Sequence, residues 1–78
     1  MITNRDDYAI PAEIVDQIKT ARLRARLSQD DLAMLASISR RPIYLLESGR
    51  GAVKFDTLLK ILDALGLEVR IVPKGPRT

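Results

Sequence analysis

Two guanidiniums and a phenol stand close together at Arg40, Arg41 and Tyr44. The amide of Gln29 and the hydroxyl of Ser39 lie upstream, and Arg50 and Lys54 downstream. Arg presents a planar fork that matches guanine O6 and N7, or a phosphate, with paired hydrogen bonds. Tyr44 can bond a phosphate or pack on a base edge, and Leu45 beside it can meet a thymine methyl. The chemistry on offer is recognition of a polyanion and its bases. Each residue also has a plainer reading. Adjacent Arg residues form a solvated helix face, Tyr44 and Leu45 pack, Gln29 opens a helix, and Arg50 and Lys54 are surface charge.

Bond-making chemistry finds little support. The 78 residues include no Cys, no His and no Trp. The usual zinc and transition-metal sites, and Ser-His-Asp, Cys-His or His general-base catalysis, are therefore closed. Asp30 and Asp31 are adjacent, so on a helix they point about 100° apart and do not converge. Gly49-Arg50-Gly51 lacks the flanking pattern of a phosphate loop. No enzyme and no cofactor is expected. The net charge of +3 permits a nucleic-acid partner, and where the charges sit matters more than their sum. No apolar run approaches the ~20 residues of a membrane span, and the polar N-terminus is no signal peptide. A soluble cytoplasmic protein with no membrane partner is expected. A chain this short buries a thin core, and without disulfides oligomerisation is the expected support.

Several helices must position these side chains. Residues 1–10 show no clear period and read as an arm. Pro11 suits a first helical position, and Ile14, Ile18, Ala21 and Ala25 then recur at helical spacing. Ser28 is an N-cap, with Asp31 completing a capping box, for a short helix over 29–36 whose apolar side is Leu32, Leu35 and Ala36. After a brief break, Ser39 reads as the cap of a helix over 40–48 that Gly49 ends. Residues 49–54 read as a loop. Asp56 or Thr57 caps a further helix with Leu58, Leu59, Leu62 and Leu65 inward, ended by Gly66. In the third helix Ile43, Leu46 and Glu47 share one face while Arg40, Arg41 and Tyr44 lie on another. Two short helices with a brief break fit a helix-turn-helix.

Leu67-Glu68-Val69-Arg70-Ile71-Val72 alternates and ends at Pro73, which is a strand signal. A lone strand cannot satisfy its own backbone. The simplest solution pairs it with the same strand of a second chain about a two-fold axis through Leu67, Val69, Ile71 and Val72. The alternative pairs it with the 1–10 arm.

The strings Leu27-Ser28-Gln29-Asp30-Asp31-Leu32-Ala33, Ile38-Ser39-Arg40-Arg41-Pro42-Ile43 and Leu46-Glu47-Ser48-Gly49-Arg50 resemble the Cro/cI-type (XRE) helix-turn-helix family over about residues 12–66. The resemblance implies a phosphate contact at Gln29 and groove-facing roles for Ser39, Arg40, Arg41 and Tyr44. It also implies backbone contacts near Arg50 and Lys54, and a structural salt bridge between Arg22 and Glu47. Ser37 stands where that family usually has Gly, so it either takes a left-handed conformation or bends the turn differently. Pro42 is unusual in such a recognition helix.

Residues 56–69 and the strand that follows more narrowly resemble HipB-type antitoxins. That likeness implies a homodimer, operator DNA before its own operon and a HipA-like kinase toxin as partner. A dimer with two recognition helices about one DNA turn apart, ~34 Å, predicts a palindromic operator. The expected architecture is mainly α. It is a four-to-five-helix lambda-repressor-like helix-turn-helix domain (11–66) behind an arm (1–10). A dimerisation β-strand (67–72) and a flexible tail (73–78) follow. The expected function is a sequence-specific transcriptional repressor and antitoxin. The alternative is a plain dimeric repressor without a toxin partner.

Overall fold

Ser28 Oγ accepts a hydrogen bond from the Asp31 amide at 2.9 Å, and the Ser28 amide donates to Asp31 Oδ2 at 3.0 Å. This reciprocal box starts the second helix of a computed structural model that describes residues 7–50 and 52–75. The first part of the arm, Gly51 in the loop and the last three tail positions lie outside the described residues. The elements run β1 (Asp7–Tyr8), α1 (Ala12–Arg24), α2 (Gln29–Ala36), α3 (Arg41–Glu47), β2 (Val53–Lys54) and α4 (Phe55–Ala64).

All four helices end in the same way. At or just beyond each C-cap a left-handed residue turns the chain, and its own amide and the next one bond back into the last turn in the pattern of a Schellman motif. Gly49 and Gly66 hold this position after α3 and α4, each with φ +73°. Arg26 and Ser37 hold it after α1 and α2, each with φ +58°. Ser37 therefore adopts the left-handed conformation, and Ile38 N–H reaches Ala33 O at 3.0 Å. The turn between α2 and α3 keeps its geometry without a glycine.

The starts of the helices differ from the sequence reading. Pro11 is the N-cap of α1, one position outside the helix. Arg40, not Ser39, flanks α3, with no side-chain cap. Pro42 has no N–H to satisfy, and the Ile43 amide already bonds Arg40 O at 3.0 Å, so little remains for a Ser39 hydroxyl to cap. Helix α4 begins earlier than Asp56 or Thr57, with Lys54 as N-cap.

The core is built from Val15, Ile18, Leu32, Ile43, Leu46, Val53, Leu58, Ile61 and Leu62 together with Ala33. Helix α2 packs chiefly on α4, and α1 on α3. Three inward faces are rotated from the sequence reading. On α1 the buried stripe is Val15, Ile18 and Arg22, while Ile14 is 40% exposed. On α2 it is Leu32, Ala33 and Ala36, leaving Leu35 outside. On α4 Ile61 replaces Leu59.

Part of the arm and part of the expected loop form a small ladder. Asp7 pairs with Lys54 and Tyr8 with Val53, antiparallel. The arm thus finds its partner next to α4, not in residues 67–72. Those residues join no ladder with any of the described residues, although Leu67 packs on the core. No helix among the described residues is long and apolar enough to cross a membrane.

Candidate nucleic-acid interface

Helix α3 is held from behind by a buried ion pair. Arg22, on the last turn of α1, donates from Nε to Glu47 Oε2 at 2.6 Å and from Nη2 to Glu47 Oε1 at 2.8 Å. Its Nη1 donates to Leu27 O at 2.7 Å in the turn before α2. Gln29 Nε2 donates to Glu47 Oε1 at 3.2 Å. One carboxylate thus ties together α1, the start of α2 and the end of α3. Burial pushes the Glu47 carboxyl up, but hydrogen bonds from Arg22 and Gln29, with the charges of Arg22 and Lys19, hold it below its ordinary range. The Glu47 hydrogen bond, together with its charge, lifts the Arg22 guanidinium above its usual value against the pull of burial. A bidentate pair whose third nitrogen is also bonded, with no buried side-chain nitrogen or oxygen left without a partner among the described residues, is the geometry in which burial of charge is tolerated.

Ile43 and Leu46 are buried against the core, which turns the opposite face of α3 outward. Arg40, Arg41 and Tyr44 lie on that outer face, and Tyr44 is 45% exposed. Arg40 and Tyr44 are spaced as neighbours on a helix, as are Arg41 and Leu45. Arg40 Nε stands 4.0 Å from Asp30 Oδ1, both side chains largely in solvent. Such an exposed pair contributes little and leaves the guanidinium available.

A surface hollow of about 360 Å³ brings Ser39, Arg41 and Leu45 together with Lys54. Leu45 is half-buried there, so it presents an edge and not a free side chain. Arg50 is exposed, and its amide closes the α3 cap on Leu45 O at 3.1 Å. Gln29 sits at the first position of α2, half-buried, with its amide nitrogen turned to Glu47. The sequence reading missed four contributors to the hollow, Pro42, Ala52, Val53 and Thr57. Thr57 reads as a cap from sequence because of its hydroxyl. In the structure it lies inside the first turn of α4 and lines the same hollow as Arg41.

The helix-turn-helix domain family matches residues 13–70. An uncharacterised HTH-type transcriptional regulator, y4mF of Sinorhizobium fredii, is 33% identical over 67 residues, covering 86% of this chain and 88% of its own. Among solved structures, a chain of the HipA-HipB-O2-O3 complex superposes with a TM-score of 0.74 at 22% identity, covering 87% of this chain and 96% of that one. A chain of a toxin-antitoxin module from Streptococcus pneumoniae superposes with a TM-score of 0.68 at 26% identity, covering 82% of this chain and 75% of that one. The family match spans both helices of the motif, the brace behind them and the outer face of α3, and the chain belongs to the helix-turn-helix family of DNA-binding transcriptional regulators.

Proposed function

We propose that the protein is a dimeric, sequence-specific repressor that binds a palindromic operator in double-stranded DNA and also serves as the antitoxin to a HipA-like kinase toxin. The observation that carries the DNA half is the outward face of α3, with Arg40, Arg41 and Tyr44 exposed above a helix braced through Arg22 and Glu47. Arg40 and Arg41 read guanine edges, Ser39 and Tyr44 bond phosphate or base edges, and Leu45 meets a thymine methyl. Gln29, Arg50 and Lys54 contact the phosphate backbone and set the register. Dimerisation runs through residues 67–72, which become strands by pairing between two chains, with Leu67, Val69, Ile71 and Val72 at the interface. Two recognition helices then stand about one DNA turn apart, ~34 Å. The antitoxin half is supported by the shape shared with the HipA-HipB-O2-O3 and toxin-antitoxin structures.

A second reading, a plain regulator without a toxin partner, is favoured by the S. fredii relative, which is described only as a transcriptional regulator. Co-expression of the tagged chain with the untagged product of the adjoining gene, followed by size exclusion with light scattering, separates the two. The antitoxin reading expects a stable complex with a kinase-like product whose toxicity is relieved. A homodimer that carries no partner leaves the plain repressor. Fluorescence anisotropy on the DNA upstream of the gene tests the half common to both. Equal affinity for that fragment and for random duplex would remove sequence-specific repression.

A further inference from the structure

Residues 67–72 carry a charge and apolar pattern that selects one way for two copies to pair. Glu68 Oε2 and Arg70 Nη2 meet at 3.0 Å, as residues two apart do on one face of an extended segment. Leu67, Val69 and Ile71 therefore share the other face. Leu67 is half-buried on the core, Val69 is 47% exposed and Ile71 is 97% exposed. Beside them lies a surface depression of about 250 Å³ with an apolar wall of Ile14, Leu62, Leu67 and Val69, and Glu68 and Arg70 also border it. Its apolar wall has no cover from the exposed Ile71 of its own chain.

Two antiparallel strands related by a two-fold axis must place one residue opposite its own copy. Centring on Glu68 sets two carboxylates face to face, and centring on Arg70 sets two guanidiniums face to face. Like charges directly opposite are destabilising. Centring on Val69 sets Glu68 opposite Arg70 of the second copy, twice, and Leu67 opposite Ile71, twice. Centring on Ile71 would set Val69 opposite Pro73, which has no N–H to give the ladder. The Val69 register sets the exposed Ile71 opposite Leu67, which lines the partner's depression.

We infer that a second copy of this chain docks here with Val69 on the two-fold axis. Glu68 and Arg70 exchange their ion pair between chains, and Ile71 of each copy covers the Ile14–Leu67 depression of the other. This rests on the strand-paired dimer proposed above and adds its register and its occupant.

Charge-reversed variants test it, because the altered side chains are exposed and leave the core untouched. Glu68→Arg alone and Arg70→Glu alone each place like charges opposite one another and weaken the homodimer, roughly tenfold in dissociation constant. Mixed together, the two variants form the heterodimer in clear excess over a random half, read by native mass spectrometry. The chain carrying both reversals dimerises like the wild type. Single-cysteine variants give an independent reading, since the sequence holds no Cys. On oxidation, Val69→Cys links to itself, or Glu68→Cys mixed with Arg70→Cys links across, whichever pair is the close one in the alternating ladder. Linking by Glu68→Cys alone or Arg70→Cys alone overturns the register. So does a wild-type dimer whose charge variants show no partner preference. A wild-type chain that stays monomeric by light scattering overturns the strand-paired dimer itself.

Discussion

Arg22 Nε lies 2.6 Å from Glu47 Oε2, and this contact joins the last turn of α1 to the last residue of α3. The pair is nearly closed to solvent, with side-chain exposures of 10% and 4%. Its role is to hold the helix that presents Arg40, Arg41 and Tyr44.

Removing one partner leaves the other charge buried and unpaired. Arg22→Ala or Glu47→Ala is expected to cost about 3–5 kcal/mol. Replacing both by apolar side chains, as in Arg22→Met with Glu47→Leu, is expected to cost less than either single change. Urea unfolding of the three variants checks this. A double variant as unstable as the sum of the singles would refute the buried-charge account.

Acid reports on the same carboxylate. Glu47 is held below its ordinary value of 4.5 in the folded state. A depressed acid contributes stability that is present in full above the unfolded value. That stability is lost as pH falls from about 4.5 through the lower folded value. Asp31, lowered from 3.8 by the Ser28 backbone and side-chain bonds, acts in the same direction. Urea midpoints followed from neutral pH to about pH 3 are expected to fall steeply for the wild type and less steeply for Glu47→Gln.

The left-handed residues differ in what they would gain or lose. A side chain there costs ~1–2 kcal/mol, offset in part by the ~0.5–1 kcal/mol that glycine loses in unfolded-state entropy. Ser37→Gly and Arg26→Gly are each expected to stabilise by about 0.5–1 kcal/mol. Gly66→Ala should destabilise by about 1 kcal/mol, and purely through backbone strain. A Cβ at Gly66 would meet nothing within 4 Å. Thermal unfolding of the three variants is the check.

On DNA, Arg41→Ala is expected to cost about 1–3 kcal/mol per half-site and to relax preference at one base pair. Lys54→Ala should weaken binding to all sequences and lower the salt slope by about 1. Arg40 faces Asp30, so Asp30→Asn should strengthen binding by removing a carboxylate that competes with phosphate. Anisotropy titrations on operator and random duplex at several salt concentrations distinguish these effects.

Much of the helical frame is readable from local chemistry. The bounds of α2 follow from Ser28 and Asp31, because a capping box is a contact between near neighbours in sequence. The inward faces are less readable. Arg22 sits in the buried stripe of α1, and hydrophobic periodicity passes over a charge, so it settles on Ile14 and Ala25 instead. On α2 and α4 apolar residues stand on both sides of the true stripe, and packing chooses between Leu35 and Ala33 and between Leu59 and Ile61. The β1–β2 pair leaves almost no local trace, since two residues are too few to alternate. The hollow at Ser39, Arg41 and Lys54 depends on that same pairing and on the α3–α4 connection. It is a property of the assembled fold and not of any one segment.

The pairing of Tyr8 with Val53 also orders events in time. The first strand leaves the ribosome long before its partner, with α1, α2 and α3 in between. Its ladder can close only after the helical unit has been made. Closing so large a loop is entropically slow, while the helices form from near neighbours. The arm is therefore the last piece to dock and the natural first piece to detach. Amide exchange at Tyr8 and Val53 should run well ahead of exchange in the core helices.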